Sequence, residues 1–158
     1  MRYSDHRHKH GIGWTICHMQ WVTKYRYKVF NDSKLKNLCT ILLHESAKRH
    51  NFELEEVEVQ PDHIHVLAKL RPSLSPSRAI NIMKGYTSRL LFMLEENKLR
   101  QWYKPANKER SLWSDGKFIG SVGHITLEKA KEYLQKQEAH HAESRESPPF
   151  MVGEYQIY

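Results

Sequence analysis

Cysteine is scarce in this chain: Cys17 and Cys39 are the only two among 158 residues. They form no Cys-x-x-Cys pair and both have apolar neighbours, which argues against a disulfide framework and a cysteine-based zinc site and fits a reducing cytoplasm. No apolar run approaches the roughly 18 to 20 residues of a membrane span, and Met1 to Lys9 leads into no signal-type apolar segment, so a soluble internal protein is expected. The chain has no Gly-x-x-x-x-Gly-Lys-Ser/Thr string to cradle nucleotide phosphates, no internal repeat and no low-complexity segment. Acidic side chains are also in deficit, 18 against 25 lysines and arginines, leaving a formal charge of +7. That balance favours a polyanionic partner, and the length suits one domain with one core.

What is present divides into periodic segments. Residues 1–12, rich in arginine, lysine and histidine, read as a flexible basic arm. Trp14 to Arg26 is aromatic and branched, as a strand requires. Asn31, Asp32 and Ser33 offer N-caps for a helix whose Leu35, Leu38, Cys39, Leu42 and Ser46 recur at three- and four-residue steps to about His50. Phe52 to Val59 reads as a second strand. There Phe52 and Leu54 share one parity and Val57 and Val59 the other, so a bulge is expected near Glu55 and Glu56. After Pro61-Asp62, His63 to Leu70 alternates cleanly. Ser75-Pro76 opens a second helix with Ile80, Met83, Leu90, Leu91 and Leu94 as its stripe, to about Asn97. A basic stretch from Arg100 to Ser114 precedes a short strand, Lys117 to Val122. A last helix is expected from Thr126 to about His141, with Leu127, Ala130 and Leu134 as its apolar face. The tail 143–158 reads as loosely ordered, leaving 13–142 as the single domain. The order strand, helix, strand, strand, helix, strand, helix predicts an α+β, ferredoxin-like (split βαβ) antiparallel sheet with helices on one face.

Two groups of residues carry chemistry. His63 and His65 project from one face of their strand, about 6.5 to 7 Å apart at the backbone, so two imidazoles can converge on one ion. In a chain with eleven histidines, such a pair also arises by chance. Tyr133 and Gln137, four residues apart, share a helical face distinct from the apolar stripe. They address a common site, or else pad the helix and face solvent.

Together the string Val59-Gln60-Pro61-Asp62-His63-Ile64-His65-Val66-Leu67, the segment Trp21-Val22-Thr23-Lys24-Tyr25-Arg26, the stretch from Leu112-Trp113-Ser114 to Gly123, and the Tyr-x-x-x-Gln pair on a last helix resemble the single-tyrosine HUH transposases of the insertion sequence 200/605 group. The likeness spans roughly Trp14 to His140. It implies a C-terminal helix carrying a catalytic tyrosine, Tyr133, which attacks a DNA phosphodiester to leave a 5′-phosphotyrosine and a free 3′-hydroxyl. It also implies a divalent metal, Mg²⁺ or Mn²⁺, on His63, His65 and Gln137, and hairpins in single-stranded DNA as the target. Homodimers are expected, with the tyrosine helix exchanged between chains through a hinge at Gly120 to Gly123.

For DNA contact, Lys24, Arg26, Lys84 and Arg89 suit phosphates, and Trp113 and Phe118 either stack on an unpaired base or belong to the core. Two other readings accompany this one. An RRM-like binding module without catalysis fits the basic and aromatic content, yet it gives His63, His65, Tyr133 and Gln137 no role, and no RNP-like string is present. A domesticated relative that nicks repeat hairpins differs only in its DNA target.

Overall fold

The computed structural model describes residues 14–104 and 111–121, the backbone of 7–8 and 11–12, and Glu132, Gln135 and Lys136. Strands β1 (Arg7–His8) and β2 (Gly11–Ile12) pair as a small antiparallel ladder, inside the stretch expected to be a flexible arm. The main sheet has four strands, β3 (Thr15–Val22), β4 (Glu53–Val59), β5 (His63–Leu70) and β6 (Phe118–Ser121), in the order β4-β5-β3-β6. Every pairing is antiparallel. Strand β5 thus lies between β3 and β4, which α1 (Ser33–Arg49) connects: the split βαβ arrangement.

Alternation decides what each face carries. Cys17, Met19 and Trp21 of β3 and Ile64, Val66, Ala68 and Leu70 of β5 join one core with Leu35, Cys39, Leu42 and Leu43 of α1 and Ile80, Met83 and Leu91 of α2 (Pro76–Leu94). His18, Gln20, His63, His65 and Leu67 therefore fall on the opposite face. The expected bulge is present: the β4–β5 register shifts between Leu54 and Glu56. The shift lets Leu54, Val57 and Val59 all join the core while Glu56 and Glu58 stay on the histidine face.

Helix α1 begins where the cap residues predict, with Asp32 accepting from Leu35 N at 3.0 Å. Ser75 caps α2 in the same way, through Arg78 N, with Pro76 at the first helical position. Two boundaries differ from expectation. The first strand stops at Val22, because Thr23 turns the chain by donating its hydroxyl to Tyr27 O and Asp62 O. The second helix stops at Leu94, and Glu95, with φ −133°, separates it from the short α3 (Glu96–Leu99). Leu94 is exposed rather than part of the stripe. The expected last helix lies outside the described residues, apart from Glu132, Gln135 and Lys136, which are helical.

Candidate active site

The site is set by the β4–β5 hairpin. Gln60 N donates to His63 O at 2.8 Å, closing a tight connection through Pro61 and Asp62. His63 then opens β5 opposite Val22, and His65 lies opposite Gln20 on β3 and Glu58 on β4. The two rings are 4.9 Å apart between centroids.

Each ring is held through Nδ1. His63 Nδ1 lies 2.7 Å from Asp62 Oδ1, and Asp62 Oδ2 accepts from Arg26 Nε at 3.1 Å. With Nδ1–H donating to the carboxylate, the neutral His63 ring has its lone pair on Nε2. Burial pushes the Asp62 carboxyl up, but the hydrogen bond from His63 and the Arg26 charge outweigh it and hold the group below its usual range. The Gln20 amide nitrogen is 2.5 Å from His65 Nδ1. His18 stacks on His65 at 5.6 Å with an interplanar angle of 14°, and burial lowers the His18 pKa to about 4, so this ring is neutral at physiological pH. A half-turn of the Gln20 amide would present its oxygen to Nδ1–H of His65 and leave the Nε2 lone pair available to an ion.

The donor chemistry fits a divalent ion in part: two imidazoles from one strand face, one oriented by a carboxylate. Among the described residues no group of three histidine, cysteine, aspartate or glutamate side chains forms a metal centre. The third ligand that the resemblance implies, Gln137, is of a type outside that set. Tyr133 and Gln137 both lie outside the described residues, as does Gly123 of the expected hinge.

The residues named for DNA contact scatter. Lys24 stands over the Tyr25 ring at 5.6 Å, and Arg26 is tied to Asp62. Lys84 donates to Ser114 O at 2.6 Å, and burial, with the neighbouring Lys117 charge, keeps its pKa below the usual lysine value. Arg89 is exposed beside the Tyr86 ring. Lys84 and Arg89 line a groove of about 760 Å³ with Ser88, Arg100 and Ser114. Trp113 takes the core alternative: it is 3% exposed, packed against Trp21 and Phe30, with its indole N–H bonded to Thr87 Oγ1 at 2.9 Å, and it forms part of the wall of that groove. Phe118 is also buried, edge-on to His18.

Sequence reasoning missed Asp62, Gln20 and His18. The signal was available, since His18 and Gln20 have the parity opposite to Cys17, Met19 and Trp21, and Asp62 directly precedes His63.

Comparison with known proteins bears on the family and the fold. The sequence profile of the family described as "Transposase IS200 like" matches residues 14–137. The ISDra2 transposase TnpA of Deinococcus radiodurans is 27% identical over 124 residues, covering 76% of this chain and 81% of the relative. The transposase for insertion sequence element IS200 of Salmonella typhimurium is 28% identical over 120 residues, covering 76% and 74%. Among solved structures, a candidate transposase from Deinococcus radiodurans R1 superposes with a TM-score of 0.62 at 24% identity, over 83% of this chain and 96% of that one. A REP-associated tyrosine transposase bound to a REP hairpin gives 0.55 at 11%, over 88% and 73%. At these identities the structures speak for the fold, and the profile match across most of the chain decides the family. The chain belongs to the IS200-like transposases.

Proposed function

We propose that this protein cuts and rejoins single-stranded DNA at hairpin-bearing ends, with Tyr133 as nucleophile and a divalent metal held by His63, His65 and Gln137. The observation that carries the reading is the pair of imidazoles on the sheet face away from the helices, with His63 oriented through Nδ1 by Asp62. The ion, Mg²⁺ or Mn²⁺, would polarise the scissile phosphate and offset charge building on its oxygens.

A free phenol has a pKa of about 10, so only about one in a thousand is ionised at neutral pH and attack needs an activated phosphate. Tyr133 Oη forms the bond to phosphorus as the P–O3′ bond breaks. The phenol gives up its proton and the departing 3′-oxygen takes one, leaving a 5′-phosphotyrosine and a 3′-hydroxyl. Attack by another 3′-hydroxyl reverses the step without ATP, in accord with a sequence that has no phosphate loop. The hairpin preference is supported by the REP hairpin bound to a tyrosine transposase of the same fold.

A labelled single strand incubated with Mn²⁺ and boiled in detergent should keep a protein adduct, absent with EDTA and in Tyr133→Phe. Equal signals from parent and variant would favour a binding module. The sites are also proposed to be shared between two chains. Mixing Tyr133→Phe with His63→Ala chains should then restore cleavage, and no rescue would place each site within one chain.

A further inference from the structure

Where β3 ends, the sequence Lys24-Tyr25-Arg26-Tyr27-Lys28 alternates basic and aromatic side chains. Tyr25 (φ 61°) and Arg26 (φ 54°) are consecutive non-glycine residues in the left-handed region. Such a pair is costly and persists only when surrounding bonds over-determine it. Here Lys24 N donates to Leu112 O, Thr23 N donates to Asp62 O, and the buried Tyr103 hydroxyl donates to Lys24 O.

The outcome is an array of rings at the surface. Tyr27 lies 5.4 Å from Tyr25, 5.7 Å from Trp102 and 5.4 Å from Tyr103. Tyr103 is the interior anchor, whereas Tyr25 is 60% exposed and Trp102 37%. Lys28 and Lys104 are exposed alongside, and Lys24 stands over the Tyr25 ring. The array is joined to the imidazoles through the Arg26–Asp62–His63 contacts.

We propose that Tyr25, Tyr27 and Trp102 form a stacking platform for unpaired bases of the DNA strand entering the active site, with Lys24 and Lys28 taking its phosphates. The inference rests on the single-stranded DNA reading and adds a location to it. Aromatic faces serve any base, while flanking cations follow the backbone, and this combination favours an unpaired polyanion over a folded protein.

The test uses the full chain in EDTA, so that no strand is cut, and an unpaired oligonucleotide carrying 2-aminopurine. Binding should quench the fluorophore. Tyr25→Asn suits a left-handed backbone and removes the ring, and Trp102→Leu keeps apolar bulk; each should weaken binding by about 5- to 100-fold and reduce quenching. Tyr25→Phe should bind like the parent, and Lys28→Ala should lower the salt slope by about 1. Unchanged affinity in Tyr25→Asn and Trp102→Leu, or equal binding of parent to duplex and single strand, would overturn the platform. The adduct assay separates the two ideas. An adduct in the parent with no effect of Tyr25→Asn sinks the platform alone, and quenching without any adduct sinks the catalytic reading alone.

Discussion

A carboxylate on the far nitrogen of an imidazole fixes its tautomer and makes the near nitrogen a better ligand, and Asp62 stands in that relation to His63. Gln20 faces His65 Nδ1 with its amide, and after a half-turn its oxygen would do the same for that ring. Asp62→Asn and Gln20→Leu should each lower Mn²⁺ affinity by about 10- to 100-fold, measured by calorimetry without DNA. Gln20→Glu, able to accept from Nδ1–H, should retain it. Affinity unmoved by either loss would show that the imidazoles need no such support. At this scale the alternation of His63 to Leu70 made the histidine pair legible. The Asp62–Arg26 ion pair was not, because it joins positions 36 apart that meet only once β3 and β5 are neighbours. Arg26 accordingly looked like a free phosphate contact.

Between elements, the joint of α2 with the segment before β6 turns on one hydroxyl. Thr87 donates to Met83 O at 2.7 Å and accepts from Trp113 Nε1 at 2.9 Å. Thr87→Val keeps the shape and strands a buried indole N–H, costing about 1 to 3 kcal/mol in urea unfolding; no loss would mean that the indole finds another acceptor. Helix α1 offers a pH-dependent case. The Lys98 ammonium, then the Leu35 amide, hold the Asp32 carboxyl below its usual range. A depressed carboxylate stabilises the fold above its unfolded pKa of about 3.9 and ceases to do so as pH falls through the folded value. Asp32→Asn should therefore shrink the acid-induced drop in melting temperature, and an identical profile would count against this cap. Asp32, Ser75 and Pro76 announced both helix starts from sequence. Trp113 stayed open between stacking and core because its burial depends on Trp21 and Phe30, far away in the chain.

For the molecule as a whole, the split βαβ order followed from counting periodic segments, since a strand, helix, strand, strand, helix, strand chain has few ways to bury its apolar faces. What sequence left open was the completeness of the site. Among the described residues no third histidine, cysteine, aspartate or glutamate joins His63 and His65, so the proposed metal site calls for a further ligand beyond these types, the part proposed for Gln137. Global opening can be followed through the thiols. Cys17 on β3, its pKa pushed up to about 11 by burial, and Cys39 on α1, raised further by the same cause, share the one core. Neither should react with iodoacetamide at neutral pH until the fold opens, so alkylation should track denaturant midpoint. Rapid labelling of Cys17 alone would reveal local opening of the sheet.

The extra residue in β4 sets the phase of that strand. Without Glu55, the chain on one side of the deletion would be turned over relative to β5, so that either Leu54 met the imidazoles or Val57 and Val59 did, with glutamates driven among the helices. One inserted amino acid thus keeps an oily seam and an acidic flank on their proper sides of a single ribbon. Shortening this hairpin by that one residue should disturb metal binding and folding together.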